Sequence, residues 1–81
     1  MQIDNILETL TNIWRDELDD NSIILKPSTT AKDVEGWDSL TNIQLIVATE
    51  KKFKIRFSAS EIMKFQNVGE LAEGIAKKTS V

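Results

Sequence analysis

The sequence predicts an all-α fold: a small four-helix bundle, three main helices plus one short helix, with a long loop between the first two. Three observations carry this. Apolar residues recur at steps of three and four in separate segments, helix-capping residues stand at the segment starts, and only one four-residue stretch alternates like a strand. At 81 residues the chain is expected to be one domain spanning 1–81, with a thin core that buries roughly 60–65% of its unfolded surface.

Ile3, Ile6, Leu7, Leu10, Ile13, Trp14 and Leu18 draw one apolar stripe, which predicts a first helix over about residues 3–18. Asp19-Asp20-Asn21-Ser22 then disfavours continuation, because these side chains compete for backbone hydrogen bonds, and Pro27-Ser28-Thr29-Thr30 adds a second block of breakers. A long connection follows. Within it Ile23, Ile24 and Leu25 are expected to fold back onto the core, since a loop this long must pack itself down or have a function.

Gly36-Trp37-Asp38-Ser39 ends the connection with a free backbone and capping side chains, so a second helix begins there. Its inward stripe is predicted as Leu40, Ile43, Ile46, Val47 and Phe53, and its outer face as Thr41, Gln44, Ala48 and Lys51. Leu45 fits neither face cleanly. Lys54-Ile55-Arg56-Phe57 alternates, but nothing in the chain offers it a strand partner, so it is read as extended loop. Ser58-Ala59-Ser60-Glu61 matches a capping box flanked by Phe57 and Ile62 at the staple positions, which predicts a short third helix over roughly 59–65. Asn67 repeats the cap logic, and Val68, Leu71, Ala72, Ile75 and Ala76 form the stripe of a last helix closing near Lys77-Lys78, where cations suit a helix C-terminus.

Composition narrows the function. Hydrophobic residues make up 41% and charged residues 28%, as expected of a domain that folds alone. No cysteine and no histidine are present, which removes disulfides, thiolate catalysis, Cys/His zinc sites and every Ser-His-Asp arrangement. A stand-alone catalyst is not expected from so small a chain. Met1-Gln2-Ile3-Asp4 lacks a basic segment followed by an apolar one, and no apolar run approaches the roughly 20 residues a bilayer span needs. A cytoplasmic location with no membrane span is therefore expected.

The net charge of −3 conceals an asymmetry: residues 1–50 carry ten Asp/Glu against three Lys/Arg, and 51–81 carry three against seven, giving −7 and +4. The acidic half repels nucleic acid, so no nucleic-acid partner is expected. Lys51, Lys52, Lys54 and Arg56 sit at a helix end rather than along a face, which also argues against a DNA-recognition helix and reads first as a solvated terminus.

The chemistry-bearing constellation is Asp38-Ser39. A hydroxyl at the mouth of a helix is accessible, and a phosphate esterified to it would sit by the first-turn N–H groups, at the positive end of the helix dipole. The same two residues are also good N-cap chemistry with no further role.

Gly36-Trp37-Asp38-Ser39-Leu40, followed by Ile43, Leu45, Ile46, Val47 and then Glu50-Lys51-Lys52-Phe53-Lys54-Ile55, resembles the acyl carrier protein family, over nearly the whole chain. The Asp-Ser-Leu motif of that family marks a phosphopantetheine site. The resemblance implies a non-catalytic carrier whose Ser39 Oγ receives 4'-phosphopantetheine from a separate phosphopantetheinyl transferase, with coenzyme A as donor and Mg²⁺ on the transferase side. Acyl groups then ride on the arm as thioesters, delivered and modified by acyl-loading and acyl-processing enzymes. Asp38 is implied as the residue at the helix start and a transferase contact. A monomer is expected.

In carriers of this family the acyl chain shelters between the second and third helices, and the matching positions are Leu45, Ile46, Val47, Phe57, Ile62 and Phe65. Each is also an ordinary core position. Bulky Phe57 and Phe65, with polar Thr49 among them, point to a short or polar cargo rather than a long fatty chain. Typical fatty-acid carriers present an acidic second helix, whereas the partner-face candidates here are Trp37, Thr41, Gln44 and Lys51, with Glu50 the only acid in the helix. That departure points to a specialised lipid or polyketide-type pathway. An aminoacyl or peptidyl carrier, and a helical interaction module that uses Asp38-Ser39 only as a cap, stay open from the residues alone.

Overall fold

The computed structural model describes residues 2–79. Its helices are α1 (Ile3–Leu18), α2 (Ser39–Phe53), α3 (Ala59–Lys64) and α4 (Val68–Thr79), with a 3-10 turn at Ala31–Asp33 inside the first connection. No strand occurs among the described residues; of the stretch 54–57 read as extended loop, 55–57 lie in an irregular connection, while Lys54 closes α2 in the left-handed region at φ 58°. The long α1–α2 loop and the short third helix are both as expected.

α1 packs against both α2 and α4. Its stripe buries Ile6, Leu10 and Trp14 completely, with Ile3, Leu7, Ile13 and Leu18 at the flanks. α4 answers with Val68, Leu71, Ala72 and Ile75. Burying aliphatic side chains of this size is worth about 1.5–3 kcal/mol each, which is how three short helices outlast the entropy of ordering them. The Trp14 indole N–H finds no acceptor among the described residues; its ring meets Trp37 edge to face, with centroids 5.2 Å apart.

α2 corrects the sequence reading. Leu40 and Ile43 are 77% and 65% exposed and Val47 is also exposed, so three of the five stripe positions face outward. The buried positions are Leu45, Ile46 and Thr49. The helix is apolar on two faces, and periodicity alone does not say which is covered. Thr49 is tolerated at full burial because its hydroxyl donates to the Leu45 carbonyl at 2.8 Å.

The first connection packs itself down. Ile23, Leu25 and Val34 enter the core, but Ile24, expected to do the same, is 66% exposed. In an extended segment alternate residues point to opposite sides, so its two neighbours are inward and it is outward. Arg15 Nε donates to the Ile23 carbonyl at 2.7 Å, tying the loop to α1. Further on, the Thr29 carbonyl accepts from Val68 N and the Pro27 carbonyl from Gly69 N, both at 2.9 Å. The loop thereby satisfies two of the orphan donors that open α4.

Candidate functional site

The site begins at Gly36, whose φ of +88° lies in the left-handed region and whose missing Cβ would meet nothing within 4 Å. Glycine is needed there for the backbone turn and not for space. The turn delivers Asp38 to the N-cap of α2, where its Oδ1 accepts from Leu40 N at 3.0 Å and Thr41 N at 2.9 Å. In return Thr41 Oγ1 accepts from Asp38 N at 2.9 Å and donates to the Gly36 carbonyl at 2.7 Å. This is a closed capping box. The Thr41 backbone N–H, with help from Leu40, holds the Asp38 carboxyl below the usual carboxylate range.

Ser39 is the first residue of α2 and is exposed, and its hydroxyl makes no hydrogen bond to the described residues. One expectation changes here. An anion on Ser39 would not find the Leu40 and Thr41 donors open, because Asp38 already takes both. The helix start therefore presents a hydroxyl on a rigid cap rather than a ready anion cradle.

Beside Ser39 lies a cleft of about 280 Å³ between the head of α2, the end of α3 and the start of α4. Its apolar wall is Ile46, Ile62, Phe65 and Leu71; its mouth carries Asn42, Gln66 and Asn67. A second hollow of about 320 Å³ lies further along α2, lined by Ile43, Val47 and Phe57 and sharing Ile46 and Ile62 with the first. Phe57 and Phe65 meet edge to face at 5.2 Å.

Of the residues expected to shelter cargo, Ile46, Ile62 and Phe65 line the cleft with Ser39, while Val47 and Phe57 line the second hollow and not the cleft. Leu45 does not belong with them. It is fully buried in the core and lines neither space, because it occupies the covered face of α2.

The partner-face expectation also divides. Gln44 and Lys51 are exposed. Thr41 is spent on the capping box, and Trp37 is half-buried, packed on Trp14 and donating its indole N–H to Asn42 Oδ1 at 3.0 Å. Sequence reasoning passed over Asn42, Gln66 and Asn67. For Asn42 the signal was present: it stands three residues after Ser39 and four before Ile46, on one helical face.

The chain matches the family described as the phosphopantetheine attachment site over residues 8–75. Among solved structures it is similar to the holo acyl carrier protein of Geobacter metallireducens, at 44% sequence identity and a TM-score of 0.87, covering 93% of this chain and 86% of that one. No curated protein matches it.

Proposed function

This chain belongs to the acyl carrier protein family, non-catalytic carriers with a covalently attached 4'-phosphopantetheine, and from that premise we propose that Ser39 is the residue bearing the arm. The arm supplies a thiol that this cysteine-free chain lacks. What supports Ser39 is the observation that its hydroxyl is exposed, unbonded and held at a rigid helix start beside the cleft. The position suits a site acted upon by a transferase, since the chain has no histidine to activate the hydroxyl from within and the neighbouring Asp38 Oδ1 is engaged by the Leu40 and Thr41 N–H groups. Asp38 fixes the helix start that presents it.

Ile46, Ile62 and Phe65 provide the apolar shelter for an acyl group next to the attachment point, and the modest size of the cleft favours short or polar cargo. Docking of the transferase and of acyl-processing enzymes falls on the outer face of α2. There Leu40, Ile43 and Val47 lie exposed in line with Gln44 and Lys51. The carboxylate of Glu50, the only acid in that helix, is turned inward to accept from Phe57 N at 2.8 Å. A face so poor in free acids supports a specialised lipid or polyketide-type pathway over general fatty-acid elongation. Free exchange with general elongation enzymes at ordinary salt would overturn the pathway reading. We further place the protein in the cytoplasm, as a monomer with one domain over residues 1–81; no described helix is long and apolar enough to cross a membrane.

Attachment is tested by incubating the protein with coenzyme A and a broad-specificity phosphopantetheinyl transferase and reading intact mass. One addition is expected, lost in Ser39→Ala. No addition, under conditions that load a control carrier, would sink the assignment.

A further inference from the structure

Two asparagines at the mouth of the cleft have lost their freedom to choose between donating and accepting. Asn42 Oδ1 accepts the Trp37 indole N–H at 3.0 Å, and Asn67 Oδ1 accepts Glu70 N, in the first turn of α4, at 2.8 Å. Both donors are N–H groups that have nothing to accept with, so the atom facing each must be the amide oxygen. What remains to each side chain is its NH₂ group, which has no partner among the described residues. Both residues are half-buried and line the cleft that holds Ser39. Neither nitrogen is sealed from solvent, since the only fully buried side-chain donor without an acceptor among the described residues is the Trp14 indole; each is a donor of fixed orientation that a ligand oxygen entering the cleft can meet in place of water.

We propose that the Nδ2 groups of Asn42 and Asn67 are the polar specificity groups of the cleft and donate to a neutral oxygen carried by the group attached at Ser39. This rests on the attachment reading above. Two sources have that chemistry: an amide carbonyl of the arm, or a hydroxyl or keto oxygen on a short acyl cargo. A carboxylate is disfavoured, because Asp38 lines the same cleft and its carboxyl is held ionised. Ile46, Ile62, Phe65 and Leu71 take the apolar remainder.

The test uses the whole protein, uniformly labelled with ¹⁵N, in four forms: apo, and then holo, butyryl-loaded and 3-hydroxybutyryl-loaded, the last three prepared with the transferase and coenzyme A, butyryl-coenzyme A or 3-hydroxybutyryl-coenzyme A respectively. Intact mass first establishes that each group is attached. The side-chain amide signals of Asn42 and Asn67 are then compared with that of exposed Asn12 on α1. Movement of both amides on going from apo to holo, with nothing added by cargo, supports the inference with the arm as the source. Movement with the 3-hydroxybutyryl form but not the butyryl form supports it with the cargo as the source. Asn42→Asp and Asn67→Asp keep the accepting oxygen for Trp37 and for the α4 cap while removing the donor, so they separate the role from folding. Each is expected to weaken sequestration of the attached group about fivefold, read as faster thioester hydrolysis. If both amides stay with Asn12 in every correctly loaded form, the inference is wrong and the attachment at Ser39 stands; if no mass is added at all, both fall.

Discussion

The backbone N–H of Gly69 donates to the Pro27 carbonyl at 2.9 Å, and a Cβ added at residue 69 would stand 2.9 Å from that same oxygen. The long loop and α4 are thus joined where no side chain fits. Alanine in place of a helical glycine ordinarily stabilises by about 0.5–1 kcal/mol. Here the contact is with backbone, which cannot swing away, and Asn67 Oδ1 lies 3.2 Å from the same point. Gly69→Ala is expected to destabilise the fold by about 1–3 kcal/mol. A urea melt showing equal or greater stability would mean that the loop yields instead.

Asp38 and Ser39 are neighbours with separate duties, and mutation should part them. Asp38 holds two orphan N–H groups of α2, while the Ser39 hydroxyl holds nothing. Ser39→Ala should leave stability within about 0.5 kcal/mol of the parent while abolishing attachment. Asp38→Ala should lower the melting temperature by several degrees, as loss of an N-cap does. Thermal unfolding by circular dichroism decides; a large drop for Ser39→Ala would show a structural role that the hydrogen bonds do not reveal.

The two faces of α2 make a sharper comparison. Leu45 is fully buried and Leu40 is 77% exposed on the same helix. Leu45→Ala should cost about 2–5 kcal/mol, and Leu40→Ala less than about 0.5 kcal/mol. If the outer face of α2 is the docking surface proposed above, Leu40→Ala and Ile43→Ala should instead slow the transferase reaction, raising its KM for the carrier. Equal costs for Leu45→Ala and Leu40→Ala in a denaturant melt would return the helix to the orientation its periodicity first suggested.

That first orientation marks where the sequence stops being legible. α1 and α4 each have a single apolar stripe, so their buried faces follow from spacing alone. The capping box at Ser58 and Glu61 was equally readable, and forms as two mutual hydrogen bonds of 2.9 and 3.2 Å. α2 offers Leu40, Ile43 and Val47 on one line and Leu45, Ile46 and Thr49 on another. The choice between them is made by what α1 covers, which is a tertiary fact. At the site, the placing of Ser39 at the head of α2 was readable from its capping motif. The polar mouth was not, because the placing of Asn42 beside Asn67 depends on how α2 meets the start of α4.

Stability should also fall in acid for a stated reason. Asp38 is held below its ordinary range chiefly by the Thr41 N–H, and Glu61 chiefly by the Ser58 N–H, with Lys78 Nζ 3.1 Å away adding to it. Because both folded values are depressed, the unfolded chain binds these protons more tightly. Between the folded and unfolded values it carries more protons, so stability rises with pH through that window. The contribution is therefore complete above the ordinary carboxylate range of about pH 4 and is lost as pH falls below it. The Lys78–Glu61 pair is in contact with solvent, so added salt weakens the Lys78 share most. Asp38→Asn supplies the control. Asparagine caps nearly as well as aspartate but has no proton to take up, so the variant should resemble the parent near pH 7 and lose less stability between about pH 5 and pH 2. Denaturant melts across that range measure the slope, and an identical acid loss in the parent and Asp38→Asn would remove Asp38 from the account.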